Sequence, residues 1–393
     1  MTLSPLQILS LAADAQESTG RAGEKILVVV QLTGGNDGLN TVVPFNDGAY
    51  FDKRPKIALK ESQVLPLNGE TGLHPAMTAM AELFRQGKLA ILEGVGYPNP
   101  NRSHFRSLEI WQTAQPEEIG STGWLGRYVD LKTHGAACEP VPAVNVDPIL
   151  PLSLVAEKVA VPSVNNVSGF RLQTEPKYKQ DRKVPSEAFL DINSNFLQAE
   201  PPYRALLTQA GLDADDASQR LLKAAGKQES KAKYPGGKLG DGLKFISQMI
   251  CSGVTSTVYT VSLDGFDTHA NQPQTQARLL KQLSDAIGAF QSDLEEHGVA
   301  PRVLTAVFSE FGRRLEENSG CGTDHGTAEP LFIIGSGIKG GVYGSRPSLT
   351  ALDNGDLKYT VDFRHVYATL LDRWLQADSV EILGKNFETL AFV

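Results

Sequence analysis

Apolar residues fall into two recurring patterns along this chain. Short, near-continuous apolar runs occupy residues 25–32 (KILVVVQL), 89–95, 257–263, 303–309 and 331–334. Runs of this length without polar alternation predict strands buried on both faces, as in a parallel sheet. Longer periodic segments separate several of them. Residues 75–86 carry Met77, Met80, Leu83 and Phe84 at helical spacing, and residues 274–297 carry Leu279, Leu280, Leu283, Ile287 and Phe290 on one face. Strands alternating with amphipathic helices predict a doubly wound α/β sheet. Residues near 165–240 break the pattern with Lys177, Lys179, Arg182 and Lys183, a polar helical stretch, and a Lys- and Gly-rich run at 231–240. This segment reads as a helical insertion, either a cap or a surface excursion. The chain shows no internal repeat and no low-complexity tract.

Composition narrows the classes. The 393 residues are 41% hydrophobic and 21% charged, so the chain is globular. Its 37 Lys+Arg against 45 Asp+Glu give a net charge of −8, which argues against nucleic acid as a partner. No apolar run reaches the roughly 18 residues of a membrane span. Cys138, Cys251 and Cys321 lie far apart and form no C-x-x-C, which excludes a zinc ribbon or thioredoxin-type site. Residues 1–23 hold a short apolar stretch and the small-x-small triplet Ala13-Asp14-Ala15 but no basic n-region, so they read as an N-terminal arm or a leader remnant. Residues 24–393 then form one α/β domain.

Ligands in open α/β sheets bind beyond the carboxyl ends of strands. The first predicted strand is followed by Gly34-Gly35-Asn36-Asp37-Gly38-Leu39-Asn40, and the second by Asn101-Arg102-Ser103-His104-Phe105. Asp264-Gly265-Phe266-Asp267-Thr268-His269 and Glu310-Phe311-Gly312-Arg313 follow two more, and a loop holds Gly322-Thr323-Asp324-His325-Gly326. Four carboxylates (Asp37, Asp267, Glu310, Asp324) and three histidines (His104, His269, His325) are thus expected at one sheet edge. Carboxylates gathered there would repel one another, and a divalent cation would relieve the conflict while using the imidazoles. Mixed His/Asp ligation suits zinc, with manganese, magnesium or calcium as alternatives. Asp267 and His269, two apart, face the same side of an extended chain. Ser103 precedes a helix and is either its N-cap or a nucleophile. His104 either contacts substrate or bonds backbone. Arg313 clamps an anionic substrate or pairs with Glu310. His74 orders a turn before Pro75, and His365, on a late helix, is a further ligand candidate. Gly335-Ser336-Gly337-Ile338-Lys339-Gly340 fits G-x-G-x-x-G, but no helix pattern follows, so a dinucleotide site is rejected.

Taken in order, these motifs resemble the bacterial domain-of-unknown-function 1501 proteins. The matching pieces are the residue 34–40 loop, Leu73-His74-Pro75, Arg102-Ser103-His104-Phe105, Gly123-Trp124-Leu125-Gly126-Arg127, Gly265-Phe266-Asp267-Thr268-His269, Ser309-Glu310-Phe311-Gly312-Arg313 and Thr323-Asp324-His325-Gly326. That family is similar to the alkaline phosphatase and sulfatase superfamily. The resemblance implies a three-layer α/β/α sandwich with a mostly parallel sheet and a two-metal hydrolase site. It implies Ser103 as nucleophile, Asp37 as the first-strand metal aspartate, Asp267 and His269 as ligands of one metal, and Asp324 and His325 as ligands of the other. His365 stands where a further late histidine is usual. The pair Asp267/His269 departs from the superfamily spacing, which is Asp-x-x-x-His. Cys138-Glu139-Pro140-Val141-Pro142 ends in proline where the sulfatases that modify this cysteine require arginine. Members commonly carry a twin-arginine leader, which implies a periplasmic or secreted protein; no Arg-Arg stands near the start of this chain.

The resulting expectation is a metal-dependent hydrolase of phosphate or sulfate esters. Ser103 attacks, and Asn36, His104 and Arg313 hold the anionic small-molecule or carbohydrate ester. The alternatives are a one-metal hydrolase with a water nucleophile and a non-catalytic surface or carbohydrate-binding protein.

Overall fold

The structure is a computed structural model that describes residues 24–134, 142–164 and 230–393. The N-terminal arm, Cys138 and most of the 165–240 insertion lie outside the described residues. β1 (Ile26–Thr33) opens the chain, and β2 (Val42–Val43), β3 (Leu65–Pro66) and β4 (Gly72–Leu73) form a small antiparallel sheet. β5 (Leu89–Gly96), β6 (Ala143–Asn145), β7 (Val258–Asp264) and β8 (Val303–Ser309) belong to the main sheet. β9 (Arg313–Glu317) and β10 (Thr323–His325) make a separate hairpin, and β11 (Glu329–Ile334), β12 (Gly341–Gly344) and β13 (Val361–Asp362) return to the main sheet.

The main sheet runs β12-β5-β11-β8-β1-β7-β6, with β13 added beside β5. Every pairing in it is parallel except the two made by β11. Each strand expected from an apolar run is present, with ends shifted by at most a few residues. The G-x-G-x-x-G run leads into β12 rather than a helix, as its context implied.

Successive residues of a strand face opposite sides, and β1 uses both faces. Val28, Val30 and Leu32 join a core with α3 (Thr78–Arg85), α6 (Lys238–Cys251) and α7 (Gln272–Glu296), which follow the short α1 (Gly38–Thr41) and α2 (Gly48–Lys53). Leu27 and Val29 join a second core with α4 (His104–Thr113), α5 (Trp124–Thr133), α8 (Phe363–Thr369) and α9 (Ser379–Leu383). Helices on both faces of a mostly parallel sheet make the three-layer α/β/α sandwich. The second core is rich in aromatics: Trp111 stacks between Phe308 and Phe363, and Trp124 stacks on Tyr367. Burying each such side chain contributes about 1.5–3 kcal/mol before the entropy of ordering it is subtracted.

The register places the carboxyl ends of neighbouring strands level. Leu32 of β1 pairs with Leu263 of β7 and Ser309 of β8. The turns that follow these three strands therefore emerge side by side, and α4 begins at the same edge.

The motif around Trp124 is structural. A Cβ on Gly126 would stand 2.1 Å from the Val155 carbonyl oxygen, because α5 lies directly on the segment after β6. Gly126→Ala is expected to cost about 1–3 kcal/mol or more, since a backbone must shift to admit one methyl group. A denaturant midpoint equal to wild type would contradict this close approach.

Candidate metal centre

The turn after β1 starts the site. Gly34 and Gly35 both have positive φ, +117° and +73°. A Cβ on Gly34 would lie 2.4 Å from the Asp267 backbone nitrogen, so only glycine lets the β1 and β7 turns touch. Arg313, fully buried on β9, holds these turns together. Its guanidinium donates to the Gly35 carbonyl at 2.6 Å, Thr323 at 2.8 Å and Phe266 at 3.0 Å, to the Gly34 carbonyl, and to Asp267 Oδ1 at 2.7 Å.

Three imidazoles converge on the same Asp267 oxygen. Nε2 of His325 and of His269 each lie 3.1 Å from Oδ1, and Nε2 of His104 lies at 3.6 Å. The His269 and His325 Nε2 atoms are 2.9 Å apart. The opposite nitrogen of every ring meets an acceptor. His104 Nδ1 is 2.7 Å from Glu310 Oε1, His269 Nδ1 is 3.1 Å from Asp324 Oδ1, and His325 Nδ1 is 2.8 Å from the Arg102 carbonyl. Carboxylates and carbonyls accept only, so each Nδ1 carries the hydrogen and donates it. Each Nε2 of a neutral ring then presents a lone pair inward. Lone pairs facing one another beside a carboxylate oxygen repel unless a cation lies among them. The donor set fits a divalent ion: His104, Asp267 and His325 offer ligand atoms all within 4.8 Å of one another. The outward bonds are those that fix imidazole tautomers around bound metals.

Partial burial opposes the ionisation of Asp267, but the Arg313 guanidinium outweighs it and holds the carboxyl at about 2. The hydrogen bond to Glu310 raises the His104 pKa, with burial opposing. Asn318 and then His269 keep Asp324 low.

Several residues expected at the centre lie elsewhere. Asp37 is fully buried, and both its oxygens are taken by Arg54 at 2.6 and 3.0 Å, with Gln272 donating as well. A forked guanidinium has neutralised it, so it faces no ion. Asn36 is also buried; Thr41 donates to its Oδ1, and its Nδ2 has no partner among the described residues, so it is shut off from substrate. Arg313 pairs with Asp267 rather than Glu310, and its burial and bonds to the protein's own carbonyls leave no fork for a substrate. His365 donates Nδ1–H to the Glu388 carbonyl and lies edge-on to Phe387, away from the group. Ser103 occupies the N-cap of α4, but its side chain caps nothing and is exposed. The expected repulsion among four carboxylates is met mostly by the protein. Arg54 answers Asp37 and Arg313 answers Asp267, while Asn318 donates to Asp324. Glu310 accepts from the Gly34 N–H at 2.9 Å and lies against Ser309 and His104.

Sequence reasoning passed over Arg54, Gln272 and the positioning role of Glu310. Arg54 sits in an ordinary charged stretch, and nothing local marks it. Glu310 had a signal, being the first residue after a buried strand.

The fold and this group define an α/β/α protein with a candidate His/Asp metal centre at the carboxyl edge of its sheet. The chain belongs to the family described as "Protein of unknown function (DUF1501)", whose pattern matches residues 24–381. Among solved structures it is similar to the PsFucS1 sulfatase of Pseudoalteromonas sp., at 13% identity and a TM-score of 0.38 over 96% of this chain and 70% of that one. It is similar to a protein in the alkaline phosphatase superfamily from Vibrio parahaemolyticus, at 10% identity and 0.34 over 83% and 63%. It is also similar to the phosphonate monoester hydrolase of Agrobacterium radiobacter, at 8% identity and 0.40 over 92% and 78%. A search of curated proteins finds no match.

Two predictions concern the support of the site. Removing Arg54 as Arg54→Ala leaves Asp37 a buried, uncompensated charge, and about 3–5 kcal/mol of stability should be lost in equilibrium unfolding. His74 is buried and accepts the Ala76 N–H at Nδ1; burial pushes its pKa down to about 4, with the Asp37 charge opposing. The unfolded chain therefore takes up this proton first, so stability falls as pH drops from about 6.5 toward 4. His74→Gln should flatten that limb of a stability-versus-pH curve; an unchanged slope would count against it.

Proposed function

We propose that this protein is a metal-dependent hydrolase of phosphate or sulfate esters. One observation carries the reading: three imidazoles aim their Nε2 atoms at a single Asp267 oxygen while every Nδ1 is held by an acceptor. A nitrogen-rich set of this kind suits zinc ahead of calcium or magnesium. His104, Asp267 and His325 would hold a divalent ion, which would supply Lewis acidity and positive charge for an anionic ester.

The chain's own residues do the rest. Ser103 is next to His104, its side chain is not used as a cap, and it stands at the start of a ten-residue helix. The helix terminus favours negative charge developing on Oγ. Ser103 Oγ gives up its proton to solvent water as it bonds to the phosphorus or sulfur, the bond from that atom to the ester oxygen breaks, and the leaving alkoxide takes a proton from solvent. Water then attacks the same atom, breaks its bond to Ser103 Oγ, returns a proton to the serine and releases phosphate or sulfate. Glu310 holds the His104 ring through Nδ1, and the Arg102 carbonyl holds His325, so the two rings cannot turn their Nε2 atoms away.

Metal content and turnover test this separately. His325→Ala should lose stoichiometric metal by elemental analysis, and Glu310→Gln should weaken metal affinity by about 10–100-fold. Ser103→Ala should keep its metal and lose turnover in a screen of phosphate mono- and diesters and sulfate esters. Full turnover by Ser103→Ala would transfer the attack to water, and wild-type metal content in His325→Ala would remove the centre from the reading.

A further inference from the structure

Arg313 cannot read a substrate, which leaves open what does. Formally, Asp267, Asp324 and Glu310 against Arg313 leave two negative charges, and a divalent ion cancels these. An anionic ester approaching such a neutral centre needs positive charge from its rim.

The Arg102 backbone borders the centre. This residue immediately precedes Ser103, and its carbonyl is the acceptor that orients His325 at 2.8 Å. Its Nε pairs with Asp356 Oδ2 at 3.1 Å, the side chain being 42% exposed and that of Asp356 6%. Asp356 Oδ1 faces a second guanidinium, Arg314, whose Nε is 3.4 Å away. One buried carboxylate thus faces two arginines, with Asp353 as a second acid beside it, so Asp356 is shared between the two guanidinium groups. Arg54 and Arg313 spend their forks on protein acceptors. The Nη1 and Nη2 groups of Arg102 have no hydrogen-bond partner among the described residues, and Asp356 tethers the side chain at Nε while leaving the fork to solvent.

We infer that Arg102 is the oxyanion-recognition residue of this centre, its Asp356-tethered guanidinium presenting its free fork to the tetrahedral phosphate or sulfate group of the substrate. The inference rests on the hydrolase reading for its substrate class, but anion binding can be measured without turnover. A planar fork suits two oxygens of one such group, whereas lysine offers a point charge.

The test is calorimetric titration of the purified, metal-analysed protein with inorganic phosphate and, separately, inorganic sulfate. Arg102→Ala should weaken binding by about 10–100-fold with metal content unchanged. Arg102→Lys should recover part of the loss, and Asp356→Asn, which frees the tether, should fall between wild type and Arg102→Ala. The better-bound anion identifies which ester the fork reads. Equal binding by wild type and Arg102→Ala, or no binding of either anion by metal-containing wild type, would overturn the assignment. If ester turnover exists, Arg102→Ala should also raise KM. Arg102-dependent anion binding in a protein that turns over no ester would sink the hydrolase reading and leave this one standing.

Discussion

A guanidinium buried away from water survives only if its hydrogens are answered, and Arg313 sets that condition for the whole carboxyl edge of the sheet. Its acceptors come from the turn after β1, the turn after β7 and the start of β10. Leaving it unpaired would cost several kcal/mol, so the three segments must meet around it. The requirement explains the glycine pair after β1. Two consecutive carbonyls can point at one side chain there only because Gly34 and Gly35 adopt positive φ and carry no side chain to strike the β7 turn. Asp267, anchored by the same guanidinium, becomes the fixed point on which the imidazoles converge.

The charges of the site divide into a sealed set and an open one. Asp37 and Arg54 belong to the sealed set, each wholly buried and each answering the other. They tie the β1 turn to the end of α2 and to β9, where Arg54 also donates to the Arg314 and Leu315 carbonyls. His104, Asp267, His269, Asp324 and His325 belong to the open set, which solvent reaches. Here the outer bonds of each ring, to Glu310, Asp324 and the Arg102 carbonyl, do as much as the inner geometry. Without them each imidazole could exchange its two nitrogens, and no lone pair would be committed inward. Preorganisation of this kind lowers the cost of capturing an ion, because ring orientation is settled before binding.

Much of the architecture was legible in the sequence. Apolar runs without alternation need cover on both faces, so β1, β5, β7, β8 and β11 and a doubly wound sheet were readable from hydrophobicity, while the three-layer sandwich followed from the family resemblance. The loops bearing Asp267, His269, Asp324 and His325 were readable because chemistry in an open α/β sheet collects where parallel strands end. The expectation that Asp37 joins them followed from the same rule and failed for a nonlocal reason: Arg54, on a different turn, reaches it first. His365 has the look of a ligand, a histidine on a late helix, but it packs against Phe387 and is not among the residues whose ligand atoms converge with Asp267.

The chain by itself determined the layers, the strand edge at which polar loops gather, and the residue types available there, since these follow from periodicity and from turns built on glycine. It did not determine which carboxylate pairs with which cation. That choice depends on distances between side chains hundreds of residues apart, such as Arg313 to Gly34, and on which groups the fold seals from water. A buried charge must take the nearest partner of opposite sign, and an exposed one need not. Tertiary structure therefore assigned Asp37 to Arg54, spent Arg313 on the protein's own carbonyls, and left Asp267, with three imidazoles around it, as the candidate position for an ion.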